Sequence, residues 1–143
     1  MLRAEISIFI RADPWKVSGV ISDYLKWPEI FPLTIRQVKL LRHDRNVLTI
    51  EVDHKEGRVL NVLRIVSPAE IELKEWKKKY EARFLYHFGP NHGGTVFRIV
   101  AEIKPKKRFR PLRPFLKPVL KHRLKRYVAK PLKRYMEADR LNS

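Results

Sequence analysis

The chain opens on strict alternation. Ala4, Ile6, Ile8 and Ile10 fall on one face of residues 4–12, and Glu5, Ser7, Phe9 and Arg11 fall on the other, which predicts a half-buried strand. Asp13-Pro14 then supplies an N-cap and a proline suited to the first helical position. The helix so started carries Trp15, Val17, Val20, Ile21 and Tyr24. Trp27-Pro28 should stop it, because a residue before proline avoids helical angles. A second short helix is expected over residues 28–31, closed by Pro32.

Strand patterns fill the middle of the chain. Residues 35–42 read as one strand, ending at the polar turn His43-Asp44-Arg45-Asn46. Residues 47–54 read as the next, with Leu48, Ile50 and Val52 on one face, and Glu56-Gly57 turns the chain. Residues 58–66, 71–80 and 83–88 follow, and the first of these ends at Ser67-Pro68. Gly89-Pro90-Asn91-His92-Gly93-Gly94 is a glycine-rich hairpin loop. Residues 95–103 form the last strand, with Phe97, Ile99, Ala101 and Ile103 on one face.

The period then changes. Leu116, Leu120, Leu124, Tyr127, Val128, Pro131 and Tyr135 are spaced by threes and fours, the apolar stripe of a packed helix. This predicts a helix over residues 115–141, starting between Pro111 and Pro118, with residues 104–114 as a connector. Pro131 lies inside the stripe and should bend the helix, since it removes a backbone hydrogen bond and clashes with the preceding turn.

The order of elements fixes an α+β class: seven strands, two short helices after the first strand, and one long C-terminal helix. Consecutive hairpins give an antiparallel sheet. Such a sheet curves and needs a cover for its apolar face, and the terminal helix alone is long enough. A curved sheet gripping one helix leaves room between them, where small ligands bind. Trp27, Phe31, Tyr86, Phe97, Tyr127 and Tyr135 are the candidate ligand-binding residues of that room.

Length and composition agree with a single domain over residues 1–143, since 143 residues with 44% hydrophobic content can bury a core of their own. No stretch has the ~18 uninterrupted apolar residues of a membrane span. The strand pattern begins at once, so no signal peptide is expected, and a cytoplasmic location follows as the default. With no cysteine, disulfides, thiolate metal sites and a Cys nucleophile are excluded. One Gln, four Asn and abundant Lys, Arg and Glu resemble a thermophile's composition.

Charge is segregated. Of the formal +17, a net +13 lies in residues 104–143, and no acidic residue occurs between Lys104 and Arg134. A segment so cationic faces water, a polyanion or an anionic surface. Lys106, Lys107, Arg108, Arg110 and Arg113 interleave with Phe109, Leu112 and Phe115, as in an interfacial anchor, which makes an anionic membrane the favoured partner and nucleic acid the less favoured one. Lys77-Lys78-Lys79 reads as a charge run on a strand, blocking edge-to-edge pairing.

Candidate chemistry is sparse. His54 ends the Leu48, Ile50, Val52 face and can point inward; Arg64 shares a face with Leu60, Val62 and Val66; Tyr86 shares one with Phe84 and Phe88. These three are the catalytic candidates, and structural roles compete with each: a hydrogen-bonded histidine, an arginine at a solvated sheet edge, a packed tyrosine. The five His form no close-spaced ligand pair, so no metal site is expected. No nucleophile elbow, P-loop or dinucleotide fingerprint occurs, and no cofactor is expected.

Four places resemble the helix-grip superfamily that includes START domains, birch-pollen-allergen-like proteins and polyketide cyclases (SRPBCC). Ala12-Asp13-Pro14-Trp15-Lys16-Val17 is similar to that family's alanine–proline–x–x–valine start of the first helix. Asp23-Tyr24-Leu25-Lys26-Trp27-Pro28 is similar to its aspartate–x–x–x–tryptophan–proline. Gly93-Gly94-Thr95-Val96 resembles its glycine–threonine hairpin, and a long helix closes the chain. The branch it resembles is the polyketide cyclase/dehydrase-like or coenzyme-Q-binding-like one. The resemblance implies a cavity for a lipid, sterol, quinone or polyketide, and leaves binding or transport, and cyclase or dehydratase chemistry through His54, Arg64 and Tyr86, both open. A nucleic-acid binder using the basic C-terminal face is the third reading.

Overall fold

The computed structural model describes residues 2–55, 57–106 and 113–141. The described residues form seven strands: β1 (Leu2–Ile10), β2 (Ile35–Asp44), β3 (Val47–His54), β4 (Gly57–Ser67), β5 (Glu70–Trp76), β6 (Tyr80–Asn91) and β7 (Gly94–Pro105). They make one curved antiparallel sheet in the order β1-β7-β6-β5-β4-β3-β2. β1 buries Leu2, Ala4, Ile6 and Ile10 with Ile8 half-buried among them, and exposes Arg3, Glu5, Ser7 and Phe9, as its alternation requires.

Helix α1 (Pro14–Ser22) begins at the expected proline, and a single 3₁₀ turn (Tyr24–Lys26) leads into α2 (Trp27–Ile30). Trp27 does not end a helix. It has helical angles (φ −56°, ψ −41°) and begins α2, with Pro28 behind it in the first turn, where a missing N–H costs nothing. Its indole Nε1 donates to the Ile21 carbonyl at 2.9 Å, so the short helices fold back on each other.

The loop between β6 and β7 is tighter than six residues. Asn91 pairs with Gly94, leaving only His92 and Gly93 at the tip, both with positive φ (33° and 80°). A Cβ on Gly94 would lie 2.5 Å from the Ile10 carbonyl oxygen and 2.5 Å from the Phe9 ring. The next residue, Thr95, is fully buried and donates its hydroxyl to the Ala12 carbonyl at 2.7 Å. The glycine–threonine pair therefore stitches the β7 start to the corner where β1 becomes α1.

The C-terminal helix runs as α3 (Arg113–Leu124), a five-residue π turn (Lys125–Ala129) and α4 (Lys130–Leu141). The expected distortion near Pro131 is this π turn: Lys130 N–H bonds to the Lys125 carbonyl, five residues back, just before the residue that has no N–H to give. One extra residue enters the turn, and the inward stripe slips by one. Leu124, Ala129, Leu132 and Met136 are buried, whereas Pro131 and Tyr135, on the uninterrupted spacing, are half-buried. α4 is tied to β1 by Lys133, whose ammonium donates to the Phe9 carbonyl at 2.6 Å and to Glu137 at 2.9 Å.

Two strands differ from the sequence reading in a way that matters for the site. β5 ends at Trp76, so Lys77, Lys78 and Lys79 form the β5–β6 turn and not a strand edge. β4 turns its Val59, Asn61, Leu63, Ile65 side inward; Arg64 is on the outer face. Both faces of that strand carry apolar residues, and the charge decides which one meets water. Outside, Arg64 reaches Glu72 at 3.5 Å, Arg83 holds Glu72 at 2.7 Å, and Arg83 also meets Glu102 at 3.2 Å, an ion-pair ladder across β4, β5, β6 and β7.

Candidate functional site

One end of the sheet is where β3, β5 and β7 finish and β1, β2, β4 and β6 begin; the register pairs Leu2 with Ile103, Tyr80 with Pro105, His54 with Gly57 and Ile35 with His54. Between this end and the C-terminal helix lies a half-open cavity of about 660 Å³. The opposite end is filled. There Phe88 and Phe97 stack at 5.3 Å and are buried with Ile10, Val17 and Ile71.

The cavity's deep wall is apolar and aromatic. Ile21 and Trp27 come from the short helices, Val52, Leu73, Phe84 and Tyr86 from the sheet, and Leu124, Tyr127 and Val128 from the terminal helix. Phe31 lines it beside Trp27. Phe97 and Tyr135 do not. Phe97 lies behind Tyr86, at 5.7 Å between ring centroids, in the packed end of the grip. Tyr135 is displaced from the inward position by the π turn, and Met136 takes it.

Among the three catalytic candidates, His54 and Tyr86 face the cavity and Arg64 does not; its place on the outer ladder removes it. His54 sits at the end of β3, next to Lys55. Tyr86 is buried in the cavity wall. Burial, and then the neighbouring Glu75 carboxylate, push its hydroxyl well above the ordinary tyrosine value, so it remains a neutral donor and acceptor at any physiological pH.

The polar heart of the cavity is a set that sequence reading passed over. Asn61 and Glu75 are directly opposed across β4 and β5, both buried and both on the inner face. Two residues on, Lys77 turns back inside, and its ammonium meets Glu75 at 3.1 Å and lies 5.4 Å from the centre of the Tyr80 ring. Burial alone would lower the Lys77 pKa, but Glu75 and Tyr80 outweigh it and the pKa rises, so the ammonium stays charged. The available signal was the parity of Ile71, Leu73 and Glu75: a carboxylate where an apolar face should continue.

Around the mouth stand Lys55, Lys79 and Arg123, with the Arg123 guanidinium 5.9 Å from the centre of the Tyr127 ring. Leu33 and Val119 also line the opening, and each is about half exposed. β7 runs out at this same end into the basic connector: Lys106 is exposed, and its N–H donates to the Lys79 carbonyl at 3.0 Å. Lys107, Arg108 and Arg110 lie outside the described residues, as does the side chain of Arg113, the first residue of α3. No helix among the described residues is long and apolar enough to cross a membrane.

No family model and no curated protein sequence matches the chain. Solved structures do. The di-domain ARO/CYC StfQ from the steffimycin biosynthetic pathway superposes with a TM-score of 0.80 at 17% identity over 99% of this chain, which spans 52% of that protein. A START superfamily protein from Mycobacterium smegmatis gives a TM-score of 0.75 at 16% identity, covering 95% of this chain and 97% of its own. The Zhui aromatase/cyclase from Streptomyces sp. R1128 gives 0.76 at 12% identity, covering 94% and 93%. The chain has the helix-grip fold that these proteins share. At such identities the likeness speaks for the fold, and the ligand has to be argued from this chain's own cavity.

Proposed function

We propose that the chain binds a hydrophobic or amphipathic small molecule, of the lipid, quinone or polyketide-like kind, between the sheet and the C-terminal helix. The observation that carries this is the half-open cavity of about 660 Å³ with an apolar, aromatic deep wall, inside the ~300–1,000 Å³ range of small-molecule sites. The ligand passes to or from an anionic membrane in the cytoplasm. Supporting this are the positions of Leu33 and Val119 at the mouth and of Lys106, whose N–H bonds to the Lys79 carbonyl, beside it, since apolar prongs among cations suit an anionic bilayer. Native mass spectrometry of the purified protein, before and after denaturation, tests the cavity: a copurified hydrophobic molecule is expected, and a ligand-free protein that takes up none of a lipid and quinone panel refutes the reading. Cosedimentation with neutral and anionic vesicles, beside a gel shift with duplex DNA and single-stranded RNA, tests the surface. Reversing Lys106, Lys107, Arg108 and Arg110 to Glu should abolish anionic-vesicle binding. A shift of nucleic acid without vesicle binding would replace the membrane by a polyanion.

One observation favours an enzyme as the second reading. Glu75 and Lys77 form a polar pair within hydrogen-bond reach inside the cavity, the minimum for proton transfer. StfQ and Zhui are aromatase/cyclases by name. In that reading Lys77 polarises a ligand carbonyl and Glu75 takes the proton from the adjacent carbon. Product formation from a poly-β-ketone thioester analogue, lost in Glu75→Gln without loss of binding, is the result that would favour it.

A further inference from the structure

We infer that the cavity takes an amphiphile whose head is a compact oxyanion, a carboxylate or a phosphate monoester, held at the mouth by Lys55, Lys77, Lys79 and Arg123. This rests on the reading of the cavity as a ligand site and names the chemistry of the ligand's polar end.

The charges are arranged along the cavity's axis. Among the described residues that line it, four are Lys or Arg and one, Glu75, is a carboxylate. The cations come from two turns and a helix, the β3–β4 turn (Lys55), the β5–β6 turn (Lys77 and Lys79) and α3 (Arg123), and all line the cavity towards its open end. The deep wall offers Ile21, Trp27, Leu73 and Val128 instead. An apolar chain going in tail first therefore ends with its head among like-signed groups. Several like charges around one opening attract an anionic head more than a neutral one, and low-dielectric walls strengthen that pull.

Glu75 does not cancel this field. It is committed to Lys77 at 3.1 Å, and Lys77 is held between that carboxylate and the Tyr80 ring. An ammonium has three donors, and Glu75 and Tyr80 engage two of them. Glu75 thus fixes Lys77 at the boundary between the wet mouth and the dry interior, where it can donate to an incoming head group. Arg123, whose guanidinium lies 5.9 Å from the centre of the Tyr127 ring, has a planar fork of a shape suited to a carboxylate or phosphate in two-point contact.

The test is isothermal titration calorimetry of the whole chain with three probes of one chain length: dodecanoate, dodecyl phosphate and dodecanol, at low salt. One or both anions should bind about tenfold or more tighter than dodecanol, a difference of ~1.4 kcal/mol or above. Which anion wins separates a fatty-acid-like head from a phosphate head. Lys79→Glu with Arg123→Glu should erase the preference by weakening the anions far more than dodecanol, and the neutral pair Lys79→Gln with Arg123→Gln should remove part of it. Both sites are exposed, so unfolding is not expected, and thermal melting checks this. Equal binding of all three probes, tighter dodecanol, or a preference that survives charge reversal overturns the head-group inference while the cavity reading stands. Binding of none overturns both.

Discussion

Glu75 and Lys77 stand two residues apart at the end of β5 and close a 3.1 Å ion pair inside the cavity, with both side chains at least four-fifths buried. The pair is the most polar feature of an otherwise apolar room, and its two members are not equivalent. Glu75 belongs to a regular strand opposite Asn61, whereas Lys77 belongs to a turn and reaches back.

Removing one partner should therefore hurt more than removing both. Lys77→Met leaves a buried carboxylate with its cation gone, and we expect a loss of about 2–3 kcal/mol, less than the ~3–5 kcal/mol of a fully dry pair because the mouth admits water. Glu75→Gln combined with Lys77→Met should recover at least half of that loss. Urea unfolding of the two single variants and the double variant measures it. A double variant as unstable as the sum of the singles would mean that the pair is not an energetic unit.

Alkaline pH should unfold the protein through the same cluster. The hydroxyl of Tyr86 and the ammonium of Lys77 both hold their protons more tightly in the folded state than the ordinary values of 10.0 and 10.5. A group whose folded pKa is raised contributes stability that is whole below the unfolded pKa and is lost as the pH rises above it. Stability should thus be level up to about pH 10 and fall beyond it. Tyr86→Phe should flatten that fall, and near-ultraviolet absorbance should show one tyrosine that ionises only as the chain unfolds.

How much of this could be read from the chain depends on whether one face of an element was unambiguous. β1 and β3 carry nearly all their apolar residues on one face, with Phe9 and Val47 as the exceptions opposite, and their orientation follows directly. β4 is apolar on both faces, so the strand was legible and its side was not; the ion pair of Arg64 with Glu72 settles it, and that pair depends on hairpin register. The helix stripe was legible from Leu120 to Val128. Beyond it a local backbone event, the π turn ahead of Pro131, shifts every later residue by one, which no fixed period can foresee. The cavity's aromatic wall was visible in Trp27, Phe31, Tyr86 and Tyr127. Its polar centre was not, because Asn61, Glu75 and Lys77 come together only through the β4–β5 register and the turn after β5.

Gly94 offers a backbone test. A methyl group there would meet the Ile10 carbonyl oxygen, which is held in the β1–β7 region and cannot move aside as the Phe9 ring can. Gly94→Ala should cost about 1–3 kcal/mol, the usual range for forcing atoms into a packed site. Calorimetric melting reads it. An unchanged melting temperature would mean that the β6–β7 hairpin is looser against β1 than its contacts suggest.

The cavity itself can be filled from the helix. Val128 lines it from the π turn and is half-buried, so its side chain already points into the room. Val128→Trp puts an indole where the ligand's chain would lie. In a packed core such a change strains the structure, but here about 660 Å³ is available, so stability should change by less than about 1 kcal/mol. The added apolar contact with Leu73 and Phe84 can even raise it, since covering exposed apolar wall contributes about 25 cal/mol per Å². Ligand uptake should fall by tenfold or more, because the tail's path is blocked, while the anionic-vesicle binding proposed for the basic connector should be the same in variant and wild type. That separation is what distinguishes a cavity-bound ligand from one adsorbed at the surface. If Val128→Trp binds dodecanol and the anions as well as the wild type does, the ligand does not occupy this room.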